Sequence, residues 1–311
     1  MKKWIKISLC MLVLLLSGCG NNKSEEQVDV VTTIGPLAAI VKQIAPELKV
    51  DTLLDKGSNY HNFDPSASDI KKVNDAKYFI CVSESVEPFV ESIIANKTSN
   101  LEVIQLGALE PFKTQEHDLY QGEAHTHYHD EKETDDHTKE EDHDNESDDL
   151  KDPHFWFSPK ANIAATESIK NELEVKGVSI NQDNYDAALA KLEEYNTQYQ
   201  EFVNIDQKTI ITNHDAYRYL KDDYGLNTAS IYGGDEHDEP SSAHIKELVD
   251  LINQQQIKAI FISPGENASI NNSIVEQTGV KSVEIPTGLD IDTMDGLYQD
   301  LEETLNGFKE V

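Results

Sequence analysis

Residues 183–203 read DNYDAALAKLEEYNTQYQEFV. Within them Tyr185, Ala188, Leu189, Leu192, Tyr195, Tyr199, Phe202 and Val203 recur at steps of three and four, the spacing that places apolar side chains on one face of an α-helix. A helix of this span is about 30 Å long. It is either a rigid strut joining two lobes or a core helix within one of them, and its length favours the strut.

Outward from this segment the same rhythm appears twice, with short apolar runs alternating with amphipathic stretches, the pattern of βα units on mostly parallel sheets. Before it, strands are expected near Asp29–Thr33, Lys49–Leu54, Lys77–Val82 and Leu101–Gln105, with helices near Gly35–Ile44, Ser66–Asn74, Val86–Ala95 and Pro159–Lys176. After it, strands are expected near Thr209–Thr212, Thr228–Tyr232, Ala259–Ile262 and Ser282–Ile285, with helices near His214–Asp222, Ser241–Gln255, Ile270–Thr278 and Met294–Gly307. The chain is longer than one core usually organises. An α/β fold of two lobes follows, residues 28–182 and 204–311, with 183–203 linking them.

The N-terminus carries Lys2 and Lys3, an apolar run from Ile7 to Leu16, and then Leu16-Ser17-Gly18-Cys19. This reads as a secretory leader over residues 1–19, since the apolar run is far short of the ~20 residues that span a bilayer. The small residues before Cys19 resemble a lipobox, which implies lipidation at Cys19, an extracytoplasmic protein held at the cell membrane, and a flexible tether over residues 20–27. Cys10 would leave with the leader, so Cys81 would be the remaining thiol. Its setting, Tyr78-Phe79-Ile80-Cys81-Val82, is that of a buried strand, where cysteine behaves as a small apolar side chain.

The formal net charge of −32 argues against nucleic acid as a partner, because phosphate binding needs clustered Lys and Arg. Much of the excess is local. Residues 116–152 hold sixteen Asp and Glu, three Lys and six His, with almost nothing apolar. Such a segment cannot bury a core and is expected to be a poorly ordered insert in the first lobe.

Three histidines outside the insert share a setting. His61 lies between a strand and Ser66-x-x-Asp69, a spacing that caps the next helix. His154 lies in Asp152-Pro153-His154-Phe155-Trp156-Phe157-Ser158-Pro159, where Ser158 suits an N-cap and Pro159 the first helical position. His214 follows a strand in Thr212-Asn213-His214-Asp215. Ligands of α/β folds bind at such strand ends. Taken singly each imidazole is as well explained by capping or packing, but three of them, two from one lobe and one from the other, are expected to meet in the cleft. Three imidazoles and one further donor make a usual Zn²⁺ shell.

These segments carry a family resemblance. Gly57-x-x-x-His61-x-Phe63-x-Pro65-Ser66-x-x-Asp69, Asp152-Pro153-His154-x-Trp156-x-Ser158-Pro159, His214-x-Ala216-Tyr217-x-Tyr219 and Glu239-Pro240-Ser241 look like the signature segments of the cluster A-I solute-binding proteins. These are the zinc and manganese receptors of ABC importers, of the ZnuA and AdcA type, and the resemblance covers nearly all of the chain after the leader. It implies two pseudo-symmetric lobes, a rigid linking helix, one transition-metal ion in the cleft, no enzymatic turnover, and a monomer that delivers its ion to an ABC permease subunit. His61, His154 and His214 match the first three ligands by position. The fourth falls in Glu284-Ile285-Pro286-Thr287-Gly288-Leu289-Asp290-Ile291-Asp292-Thr293-Met294, which aligns poorly. Asp290 or Asp292 is favoured, though either one can instead cap the helix near Met294.

Within the resembled family the manganese receptors tend to replace the third histidine by glutamate, so His214 points to Zn²⁺ over Mn²⁺; imidazole also suits zinc, whereas oxygen donors suit manganese. His125, His127, His129, His137 and His143 in the insert form a secondary, weaker metal-binding tract or an incidental one. His237 and His244, flanking Glu239-Pro240-Ser241, read mainly as exposed polar residues. A zinc-dependent hydrolase is the alternative from another class, since three histidines and an open position activate water, but there is no H-E-x-x-H and no evident general base. A surface adhesin is a third class, which a lipid anchor permits.

Overall fold

The computed structural model describes residues 28–54, 63–112, 152–204, 207–232, 240–264, 268–288 and 290–310. In the first lobe β1 (Val30–Thr32), α1 (Gly35–Ile44), β2 (Val50–Thr52), α2 (Ala67–Asp75), β3 (Tyr78–Cys81), α3 (Phe89–Ala95) and β4 (Glu102–Gln105) follow one another, and α4 (Pro159–Val175) leads into α5 (Gln182–Tyr199). The second lobe continues with β5 (Thr209–Thr212), α6 (Arg218–Tyr224), β6 (Asn227–Ser230), α7 (Ser242–Gln255), β7 (Ala259–Ile262), α8 (Ala268–Thr278), β8 (Lys281–Glu284) and α9 (Met294–Lys309).

Among the described residues each sheet has four strands, in the orders β2-β1-β3-β4 and β6-β5-β7-β8, and their pairings are parallel. The two orders are the same. Successive crossovers therefore diverge after β1 in one lobe and after β5 in the other, which opens a crevice at the carboxyl ends of the strands.

Local chemistry accounts for the helix starts. Ser66 accepts from the Asp69 N–H while the Asp69 carboxylate accepts from the Ser66 N–H, a complete capping box ahead of α2. Ser158 accepts from the Ala161 N–H, with Pro159 opening α4, and Gly225 ends α6 in the left-handed region, φ 70°. The helix after β5 starts four residues later than expected. Thr212 Oγ1 donates to the His214 carbonyl at 2.8 Å and the Ala216 N–H does so at 3.0 Å, holding His214–Tyr217 in a turn.

The linking segment is helical over Gln182–Tyr199 and continues as a 3-10 turn to Asn204. It buries Ala188, Leu192, Tyr195 and Tyr199 against α1, α4 and α9, within the main core. The main core runs from β1 and β3 through α4 and α5 to Leu297, Leu301, Leu305 and Phe308 of α9, and a smaller cluster fills the second sheet around Ile211, Leu248 and Ile260. Tyr199 Oη donates to the Leu301 carbonyl at 2.8 Å. Cys81 is buried on β3, as its apolar setting requires. No helix among the described residues is long and apolar enough to cross a membrane.

Candidate metal centre

His154 sits between the acidic insert and a 3-10 turn at Phe155–Phe157, which Ser158 then converts into α4. It is buried, as is Asp152. One carboxylate oxygen of Asp152 accepts from the His154 backbone N–H at 2.9 Å and lies 2.8 Å from Nδ1. A carboxylate at that position favours the tautomer with the proton on Nδ1, which leaves the Nε2 lone pair facing His214.

His214, half-buried, comes from the turn after β5 of the other lobe. Its Nε2 lies 3.1 Å from Nε2 of His154, with ring centroids 5.0 Å apart and planes at 73°. Trp156 stands 5.2 Å from the His154 ring, and Phe157 packs on Tyr217 at 4.4 Å. Tyr219 Oη of α6 donates to the Asp152 carbonyl at 2.9 Å, tying the two histidine segments together a second time. Beside them the Asp215 carboxyl is held above the usual carboxylate range, first by burial and then by the charge of Asp152, against the opposing pull of Arg218 and His154. The arrangement presents two convergent nitrogen donors in a partly dry, carboxylate-lined wall.

Not every expected residue joins this pair. Among the described residues there is no group of three or more His, Cys, Asp and Glu placed to hold a metal ion. His61, the lipidation candidate Cys19, and His125, His127, His129, His137 and His143 lie outside the described residues. Asp290 is exposed and lines a recess with Glu284, Asp300 and Glu303. In that recess burial, then the charges of Glu303 and Asp290, push the Asp300 carboxyl up to about 6. Asp292 is half-buried, and its carbonyl accepts from Lys42 Nζ at 3.3 Å. Neither aspartate caps α9, because Thr293 accepts from the Gly296 N–H there.

Two further expectations are corrected. His244 is buried rather than exposed: its Nε2 lies 2.9 Å from the Ser230 carbonyl at the end of β6, a position reached because Ser241 caps α7 and turns the first helical turn inward. His237 lies outside the described residues. Asp152, assigned by composition to the solvated insert, is 1% exposed and belongs to the site. The signal for it was available in the Asp152-Pro153-His154 spacing, where an acid two residues before an imidazole reaches its Nδ1.

Residues 30–306 match the family described as zinc-uptake complex component A, periplasmic (ZnuA). The chain belongs to that family. Its relatives include the zinc-binding protein AdcA of Streptococcus pyogenes serotype M6, 31% identical over 280 residues, covering 83% of this chain and 50% of AdcA. Another is the high-affinity zinc uptake system protein ZnuA of Bacillus subtilis, 29% identical over 328 aligned positions, covering all of this chain and 94% of that one. The chain thus spans about half the length of the AdcA relatives and nearly all of the Bacillus ZnuA. The crystal structure of the AdcAII protein of Streptococcus pneumoniae superposes with a TM-score of 0.67 at 25% identity, over 90% of this chain and 99% of the other. The ZnuA-family fold of two parallel-sheet lobes is the architecture described above.

Proposed function

We propose that this member of the ZnuA family is an extracytoplasmic receptor that captures Zn²⁺ between its lobes and delivers it to the permease subunit of an ABC importer. The observation that carries the reading is the His154–His214 pair. In a tetrahedral shell with Zn–N bonds of about 2.0–2.1 Å, two imidazole nitrogens stand roughly 3.3 Å apart, close to the 3.1 Å between the two Nε2 atoms. The pair therefore needs only a small spreading to accept the ion. Asp152 supports it by fixing His154 with Nε2 as the donor. His61 is assigned as the third ligand, and Asp290, Asp292 or a water as the fourth.

A nitrogen-rich shell selects zinc over manganese. The names of the relatives, which describe zinc binding and zinc uptake, point the same way. Capture and release, without turnover, is the activity proposed, so a zinc-dependent hydrolase is the reading displaced. Lipid at Cys19 would hold a monomeric receptor at the cell membrane, and the histidines of the insert would gather zinc more weakly. Isothermal titration against a competing chelator tests the central claim: one tight zinc per protein is expected, and stoichiometric binding that survives in both His154→Ala and His214→Ala would refute it.

A further inference from the structure

The segment between β8 and α9 is the second place where the chain passes between the lobes, and it fits the first lobe with almost no room. A Cβ added to Gly35 would stand 1.6 Å from the carbonyl oxygen of Ile291 and 2.8 Å from its carbon. Both are backbone atoms, which do not swing aside as a side-chain tip does. Gly35 is not among the glycines with positive φ, so it is the space, and not the backbone conformation, that requires glycine there. Three residues earlier Gly288 has φ 73°, and a Cβ on it would meet Trp156 Nε1 at 2.1 Å. Lys42, on the same helix as Gly35, donates to the Asp292 carbonyl.

The contacts among the described residues follow one another from the first lobe to the histidine pair. Gly35 opens α1 directly after β1, and β1 holds the same place in its sheet as β5, the strand before His214, holds in the other. From Gly35 the contact passes to Ile291, whose side chain is 2% exposed. Three residues earlier in the chain Gly288 abuts the Trp156 ring, and the Trp156 ring stands 5.2 Å from the His154 ring. On the side of the first lobe Ile291 meets Gly35 through rigid backbone atoms, and close-packed contacts transmit strain, while the opposite side of the stretch lines an open recess.

We propose that Gly35 is a positioning residue of the zinc site: by letting Ile291 and Asp292 seat against the first lobe, with Gly288 against Trp156, it holds Trp156 and His154 in place and sets how tightly zinc is kept. This rests on the zinc reading above. Any side chain at position 35 forces the segment off its seat, and the ion is then bound by a site that must pull the segment back.

The test uses the full chain carrying Trp4→Phe, so that Trp156 is the sole indole of the two tryptophans in the sequence. Zinc affinity is measured by chelator competition, with Trp156 emission and thermal unfolding followed alongside for Gly35→Ala, Lys42→Met and His154→Ala. Gly35→Ala is expected to bind zinc about tenfold more weakly, to shift the Trp156 emission in the zinc-free protein, and still to unfold cooperatively. Lys42→Met, which loosens the same seat without a clash, is expected to weaken zinc about threefold and decides the matter should Gly35→Ala not fold. Wild-type affinity and emission in a folded Gly35→Ala, or a lowered unfolding temperature with wild-type affinity, would overturn the proposal. So would an unchanged affinity in Lys42→Met where Gly35→Ala fails to fold. Loss of binding in His154→Ala alone would leave the zinc reading standing without the seat. Undiminished binding in His154→Ala would remove the zinc assignment itself.

Discussion

Nε2 of His154, at the turn before α4, and Nε2 of His214, in the turn after β5, lie 3.1 Å apart. Neither turn alone has the shape of a metal site. The pair exists because α5 and α9 fix the lobes against each other and because Tyr219 and Asp152 bond across the junction. In the proposed zinc site the two donors are held by contacts of the fold itself, which lowers the ordering entropy that binding has to overcome.

That preorganisation predicts a division between the cleft and the acidic insert. His61→Ala, His154→Ala and His214→Ala should each weaken the tight zinc site by at least tenfold, about 1.4 kcal/mol or more. Deleting about residues 123–147 should remove only weaker binding. Titration calorimetry with a competing chelator distinguishes these; tight binding that vanishes with the deletion and persists in all three alanine variants would move the receptor site into the insert.

Asp152 should matter for zinc although it is not assigned as a ligand. Without its carboxylate, His154 loses the acceptor for Nδ1 and the imidazole is free to turn or change tautomer, so Asp152→Ala should lower affinity about 10- to 100-fold. Asp152→Asn, whose amide oxygen still accepts, should fall between. Equal affinities in the three proteins would mean that the contact is ornamental.

Glu87 predicts a pH dependence of stability. Its carboxyl is fully buried, with the Val82 N–H donating at 2.6 Å and the Ser83 N–H at 3.2 Å, and burial outweighs these bonds, pushing it up to about 7 from 4.5. Because the folded-state value is the higher one, the folded protein keeps the proton longer. No penalty exists below the unfolded value. Stability then falls as pH rises from about 4.5 through about 7, by up to roughly 3 kcal/mol from this group. Glu87→Gln should flatten that decline in urea unfolding between pH 5 and pH 8; parallel slopes for both proteins would count against the buried charge.

Phe308 anchors the returning helix. It is fully buried and packs edge-on to Phe261 at 4.6 Å, with Phe202 at 5.7 Å and Tyr217 at 6.0 Å. Phe308→Ala should cost about 3–5 kcal/mol through lost burial and the cavity left behind. Denaturant titration measures it, and a loss below ~1 kcal/mol would show that the site collapses around the gap.

Much of the architecture was legible in the chain because its signals are local. Strands β1, β3, β5 and β7 are short apolar runs buried on both faces, and Ser66, Ser158 and Ser241 cap helices through hydrogen bonds that span three residues. His154 and His214 were legible as candidates from their places beside strands and helix starts. What composition misplaced is equally physical: Asp152 ends an acidic tract in sequence yet is buried in space, and His244 looks polar yet faces inward from the first turn of α7.

The sequence by itself thus determined the βα rhythm, the long helix α5, the helix caps and the histidines worth watching, since each depends on neighbours a few residues away. Only the tertiary structure decided that α9 returns to pack on α1 and α5, that two imidazoles from opposite lobes meet, and that Gly35 leaves room for Ile291. Those facts depend on residues 60 or more positions apart, whose approach is set by how two cores pack together and leaves no periodicity in the chain.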